Sequence, residues 1–255
     1  MTQPTENTIL YRRKFLRAAG AGVAVLAVAP GIKLIQIAAA KPDDEAVTDA
    51  VRWGMLIDTT KCTSGCTACV TACEKENGWG SGSSDEQHSR DTQKAQWIRK
   101  VDLKDKLTGH EMSLPVMCQH CETAPCVDVC PTGASFKRVD GVVLVDRHIC
   151  IGCRYCMMAC PYKARSFIHE DLHDQRTHAP RGKGCVESCN LCVHRVDKGG
   201  TPACVEACNA EAEGAMLFGD LNDPNSEIAQ RLQQVSSRQI REDLGLNTGV
   251  RYVGL

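Results

Sequence analysis

The stretch CIGCRYCMMACP, residues 150–161, sets Cys150, Cys153, Cys156 and Cys160 within one short run and closes it with Pro161. Three further groups repeat the crowding. CTSGCTACVTAC holds Cys62, Cys66, Cys69 and Cys73, and CQHCETAPCVDVCP holds Cys118, Cys121, Cys126 and Cys130 before Pro131. The last group is split, with Cys189 and Cys192 in CNLC and Cys204 and Cys208 in CVEAC. Of the 17 cysteines only Cys185 stands apart. The 255 residues allow one large or two small domains. Only 4 % are aromatic, a thin supply for a conventional core. Metal ligation would order such a chain, because its binding free energy becomes folding free energy.

The spacing narrows the metal. C-x2-C-x2-C-x3-C-P is the bacterial iron–sulfur run, whose fourth cysteine serves a different cluster from the first three. Two residues between thiols let a tight loop wrap a corner of a cubane. Three residues make one helical turn that carries the last thiol away, and the proline stops that turn. The second and third runs match beyond their thiols: CPTGASF parallels CPYKARSF, with Ala134 and Ala164 in register. Between them SFKRVDGVVLVD alternates around Asp140-Gly141, which predicts a hairpin. This is the duplication expected of a two-cluster unit with crossed ligation. Cys118, Cys121, Cys126 and Cys160 then hold one 4Fe–4S cluster, and Cys150, Cys153, Cys156 and Cys130 its neighbour.

The same logic pairs the outer runs. Cys62, Cys66 and Cys69 join Cys208, while Cys189, Cys192 and Cys204 join Cys73, giving four 4Fe–4S clusters in all. Neither Cys73 nor Cys208 is followed by proline; Glu74 and Asn209 stand there. The first run has one extra residue between Cys62 and Cys66, and Gly65 widens that loop. Disulfides fit poorly, since the count is odd and the spacing short and repeated. Zinc has no need of a fourth cysteine set off by three residues and a proline, twice. Cys185 reads either as a structural thiol or as part of a shifted Cys185-x3-Cys189-x2-Cys192 run.

Residues 1–40 carry Arg12, Arg13, Lys14, Arg17 and Lys33 against Glu6, which leaves 25 basic and 30 acidic residues for the remainder. That mildly acidic body gives no footprint for nucleic acid. Paired arginines, a weakly apolar run and Ala38-Ala39-Ala40 follow the order of a signal peptide, and the arginines resemble the twin-arginine (Tat) export motif. Cleavage after Ala40 is one expectation, and retention as an N-terminal anchor the other. Gly20, Gly22, Pro30, Gly31 and Lys33 weaken a membrane span. Either way the body is expected outside the cytoplasm, in the periplasm.

Several weaker features have two readings. His120, inside CQHC, either donates to a cluster sulfur or tethers its loop to backbone. His169, His173 and His178 lie in a polar segment, a solvated loop or a redox-partner contact. Residues 77–93 read as a polar surface loop. Ile228, Leu232 and Val235 share a face and predict one amphipathic helix over 226–244; the tail NTGVRYVGL is expected to dock on a partner. No nucleophile elbow, Walker or dinucleotide motif occurs.

Together the leader and the four cysteine groups, ending in CNLC and TPACVEAC, resemble the four-cluster ferredoxin-like subunits of membrane-bound respiratory oxidoreductases. The likeness covers residues 52 to about 220. FGDLNDPNSEI and LGLNTGVRYVGL are similar to the iron–sulfur subunit of the Dsr membrane complex of sulfur metabolism. The resemblance implies an α+β fold, a tandem double-cluster ferredoxin-like arrangement of short strands and cysteine-bearing turns with a C-terminal helix and tail. It places a linker at 41–51, the four-cluster domain at 52–220 with its central unit near 114–168, and the tail at 221–255. It also implies a non-catalytic electron carrier on the outer face of the cytoplasmic membrane. Its partners would be an NrfD-type quinone-interacting membrane subunit and a periplasmic cytochrome c or other redox subunit. Tetrathionate, polysulfide and nitrite reductase systems and hydrogenases use equivalent subunits. Rival readings are an enzyme with one open iron site, or a zinc- or disulfide-stapled module.

Overall fold

The computed structural model describes residues 46–80, 82–84, 87–211 and 214–255. The leader or anchor expected over 1–40, and the first part of the linker, lie outside them. Among the described residues no helix is long and apolar enough to cross a membrane.

Strand β1 (Trp53–Asp58) buries four consecutive residues, the mark of a strand covered on both faces. β8 (Met216–Asp220) pairs antiparallel along one edge of it. β10 (Val250–Val253) pairs parallel along the other, and β9 (Ser237–Arg238) closes the sheet in the order β8-β1-β10-β9. Met55, Ile57, Met216, Val250 and Tyr252 fill the core under this sheet.

This corrects two expectations for the chain end. The tail expected to dock on a partner instead forms an inner strand of the chain's own sheet, with Tyr252 fully buried. Its hydroxyl donates to the Pro115 carbonyl at 3.1 Å. Val250 and Tyr252 face inward on either side of Arg251, the period of two of a strand. The helix expected over 226–244 runs only from Glu227 to Gln234, capped by Ser226, whose hydroxyl accepts the Ala229 N–H at 3.2 Å. β-Branched Val235 turns extended at its end, and Ser237 and Arg238 are taken up by pairing with Val253 and Tyr252.

Three two-stranded ribbons carry the rest. β2 (Ile98–Lys104) pairs with β3 (Glu111–Met117), and β6 (Ser166–Phe167) with β7 (Val186–Glu187). β4 (Ser135–Lys137) and β5 (Val143–Val145) form the hairpin expected around Asp140-Gly141. Short helices then place the thiols: α1 (Ala68–Asn77), α2 (Pro125–Asp128), α3 (Tyr155–Ala159), α4 (Val193–Val196), α5 (Ala203–Glu211) and α6 (Glu227–Gln234). The result is a mixed helix-and-strand fold of small sheets around many cysteines, consistent with a ferredoxin-like iron–sulfur domain. Residues 77–80, expected on the surface, are buried; Trp79 draws them in beside Cys73.

Candidate metal centres

The one-turn spacing acts as expected. α1 carries Cys69 and Cys73, and α5 carries Cys204 and Cys208, each pair four residues apart on one helix face. α1 packs against α5, so the two pairs meet. α3 ends at Ala159, and Cys160 before Pro161 is already extended. Pro125 opens α2 as its first residue, and Cys130 lies beyond its end. Gly152, between Cys150 and Cys153, has φ +68°, and a Cβ there would lie 2.1 Å from the Gly184 carbonyl oxygen. Only glycine fits that loop.

Two apolar clusters divide the thiols. One contains Cys69, Cys73, Cys204 and Cys208. The other contains Cys118, Cys121, Cys126, Cys156 and Cys160. Within the first, Cys62, Cys66, Cys69 and Cys208 line one small cavity together with Lys100, whose Nζ donates to Cys62 Sγ at 3.0 Å. Burial, then Cys189, Cys204 and Cys192 beside it, hold the Cys73 thiol well above its ordinary value. Asn77 Nδ2 donates to Cys73 Sγ at 3.5 Å. In the second cluster, burial and then Cys126 and Cys160 push the Cys121 thiol up to about 12.

The structure thus brings together Cys62, Cys66, Cys69 and Cys208, then Cys73 with Cys189, Cys192 and Cys204, and then Cys121, Cys126 and Cys160 with Cys118 in the same apolar cluster. Cys150 packs against that cluster and Cys156 lies in it, with α2 and α3 in contact. Cys130 is half-buried and meets its own loop, accepting the Ser135 N–H at 3.3 Å. Cys153 is exposed. For these two, among the described residues, the structure shows no contact across to the other run's thiols. Cys185 does not join a quartet: its Sγ donates to the Arg147 carbonyl at 3.3 Å.

The donor chemistry around the thiols fits a bound metal centre rich in sulfur. His120 is buried, and its Nδ1 accepts the Val143 N–H at 3.0 Å, which ties it to backbone and puts its proton on Nε2. That Nε2 has no partner. Trp79 Nε1 and the Tyr162 hydroxyl are likewise buried without an oxygen or nitrogen acceptor, and lie against Cys73 and Cys121. Burial, then Arg165 nearby, pushes His120 down to about 3, so it is neutral. Buried donors without acceptors are costly. Metal-bound thiolate or cluster sulfide would supply the acceptors these donors lack.

Sequence reading missed the supports around the sites. Glu187 is fully buried and accepts Trp97 Nε1 at 2.8 Å and Arg181 Nη2 at 2.8 Å. His178 stacks on His194 at 3.8 Å, and His194 Nε2 lies 2.7 Å from Glu76 Oε1. His178 therefore has packing partners although it, like His173, stays exposed. Only the cysteine pattern announced the sites; a lone glutamate or tryptophan in a polar string gives no such signal.

A model of the 4Fe-4S dicluster domain matches residues 110–221. The Hdr-like menaquinol oxidoreductase iron-sulfur subunit 1 of Archaeoglobus fulgidus is 39% identical, covering 97% of this chain and 99% of its own length. One tetrathionate reductase subunit of Salmonella typhimurium is 35% identical over 96% of this chain and 88% of its own. Protein NrfC of Escherichia coli is 38% identical over 92% and 91% respectively. The chain belongs to this family of 4Fe–4S dicluster-containing iron–sulfur subunits of oxidoreductase complexes.

Proposed function

We propose that the chain is a non-catalytic electron relay, holding four 4Fe–4S clusters on its four crossed cysteine quartets. The observation that carries this is the meeting of α1 and α5, which brings thiols from opposite ends of the sequence around common spaces. Cys62, Cys66, Cys69 and Cys208 would hold one cluster and Cys73, Cys189, Cys192 and Cys204 another. Cys118, Cys121, Cys126 and Cys160 would hold the third, and Cys130, Cys150, Cys153 and Cys156 the fourth. Each cluster, when bound, accepts and releases one electron. The protein's part is to fix the thiols, keep water from the buried sites and donate N–H and O–H groups to sulfur.

The partners follow from the relatives and from the surface. One relative is named for menaquinol and another for tetrathionate, which supports a relay between a quinone-interacting membrane subunit of the NrfD type and a haem or catalytic subunit. The third run faces solvent, with Cys153 exposed beside Ile151, Tyr155 and Met158, at 67%, 55% and 72% exposure. Apolar side chains around an accessible site suit electron exchange by contact. The twin-arginine leader supports export to the periplasm, and the described body at 52–220 is the exported carrier. The relatives favour the wider group of quinol-linked and reductase systems over the Dsr complex alone, and that wider reading is the one adopted.

The test uses the iron-loaded protein reduced by dithionite. Mixed with an oxidised c-type cytochrome, it should be reoxidised in one-electron steps while leaving tetrathionate, nitrite and sulfite untouched. Direct turnover of any of these by the chain alone would overturn the relay.

A further inference from the structure

Several wholly or partly buried arginines sit against carboxylates. Arg138 pairs with Asp140 and Asp197, Arg181 with Glu187, and Arg195 with Glu76 and Glu206. Arg165 differs. It is 5% exposed, and among the described residues no carboxylate forms an ion pair with it. Its Nη1 donates to Ser135 Oγ and its Nη2 to Cys126 Sγ at 3.1 Å. The charges it faces are thiols of two runs, Cys126 and Cys118 on one side and Cys156 on the other. An uncompensated buried guanidinium costs several kcal/mol, and only negative sulfur is placed to offset it.

We propose that Arg165 raises the reduction potentials of the two central sites, first that of Cys118, Cys121, Cys126 and Cys160, then that of Cys130, Cys150, Cys153 and Cys156. This rests on the cluster reading above. Reduction adds negative charge beside a fixed cation in a low-dielectric interior, so the reduced form gains. Among the described residues the outer sites lack an equal: Lys100, beside Cys62, is part-exposed and screened, and Arg195 near Cys192 is matched by Glu76. The half of the relay built by the second and third runs is therefore easier to reduce than the half that contains Cys73, whose Cys189 lies next to Cys118.

The experiment is a potentiometric titration of the iron-loaded protein followed by electron paramagnetic resonance, with Arg165→Gln and Ser135→Asp. The first removes the charge; the second keeps the arginine and sets a carboxylate against it. Both should lower the central midpoints by at least tenfold in the reduction equilibrium, about 59 mV for one electron, while the outer midpoints stay in place. Full iron content with unmoved midpoints in either variant overturns the proposal, and so does loss of central iron in both, which would make Arg165 a structural clamp. The wild-type iron and sulfide content separately tests the cluster reading.

Discussion

Glu187 accepts hydrogen bonds from Trp97 and Arg181 where no water reaches. Replacing it by alanine leaves Arg181 charged and buried, and should cost about 3–5 kcal/mol. Urea unfolding of the iron-loaded protein measures this, and a loss below about 1 kcal/mol would show that Arg181 finds other compensation. Cys160→Ser tests ligand exchange between runs: the spectrum of the site of Cys118, Cys121 and Cys126 should change more than that of the Cys150 run. A change confined to the Cys150 run would reverse the pairing. The thiols that gather in space were legible because residue type and spacing are themselves the chemistry, whereas Cys130 and Cys153 show no such meeting. Trp79, Glu187 and Arg165 were not, since a single large or charged residue has no period, and its burial is decided by chain segments distant in sequence.

Elements were legible where spacing and turn chemistry agreed. The hairpin of β4 and β5 follows from its Asp140-Gly141 turn, and the one-turn helices from cysteines four apart. The chain end was misread because Ile228, Leu232 and Val235 keep a helical interval that gives no stop signal, although Val235 is extended and Ser237 and Arg238 pair with β10. Only α6 forms, and β10 lies between β1 and β9. The loop of the third run gives a prediction at this scale. Gly152→Ala forces a left-handed backbone, costing roughly 1–2 kcal/mol, and drives a methyl into the Gly184 carbonyl. Iron content should fall, with the spectrum of the Cys150 run lost first. A variant with unaltered iron would show that this loop yields.

At the scale of the molecule, the fold and its metal are one problem. Burial pushes the Cys69, Cys121 and Cys189 thiols up to about 12. Without metal they are protonated at neutral pH, so ligation must expel protons and iron affinity rises with pH. Iron retention against a fixed chelator should therefore fall as pH falls, and far-ultraviolet circular dichroism should fall with it. Structure that survives complete iron loss would separate the two. The central claim is that thiols remote in sequence close on four inorganic clusters. Iron and acid-labile sulfide per purified chain measure it most directly: the account requires roughly sixteen of each, four per cluster, and about half that number, or zinc in place of iron, would contradict it.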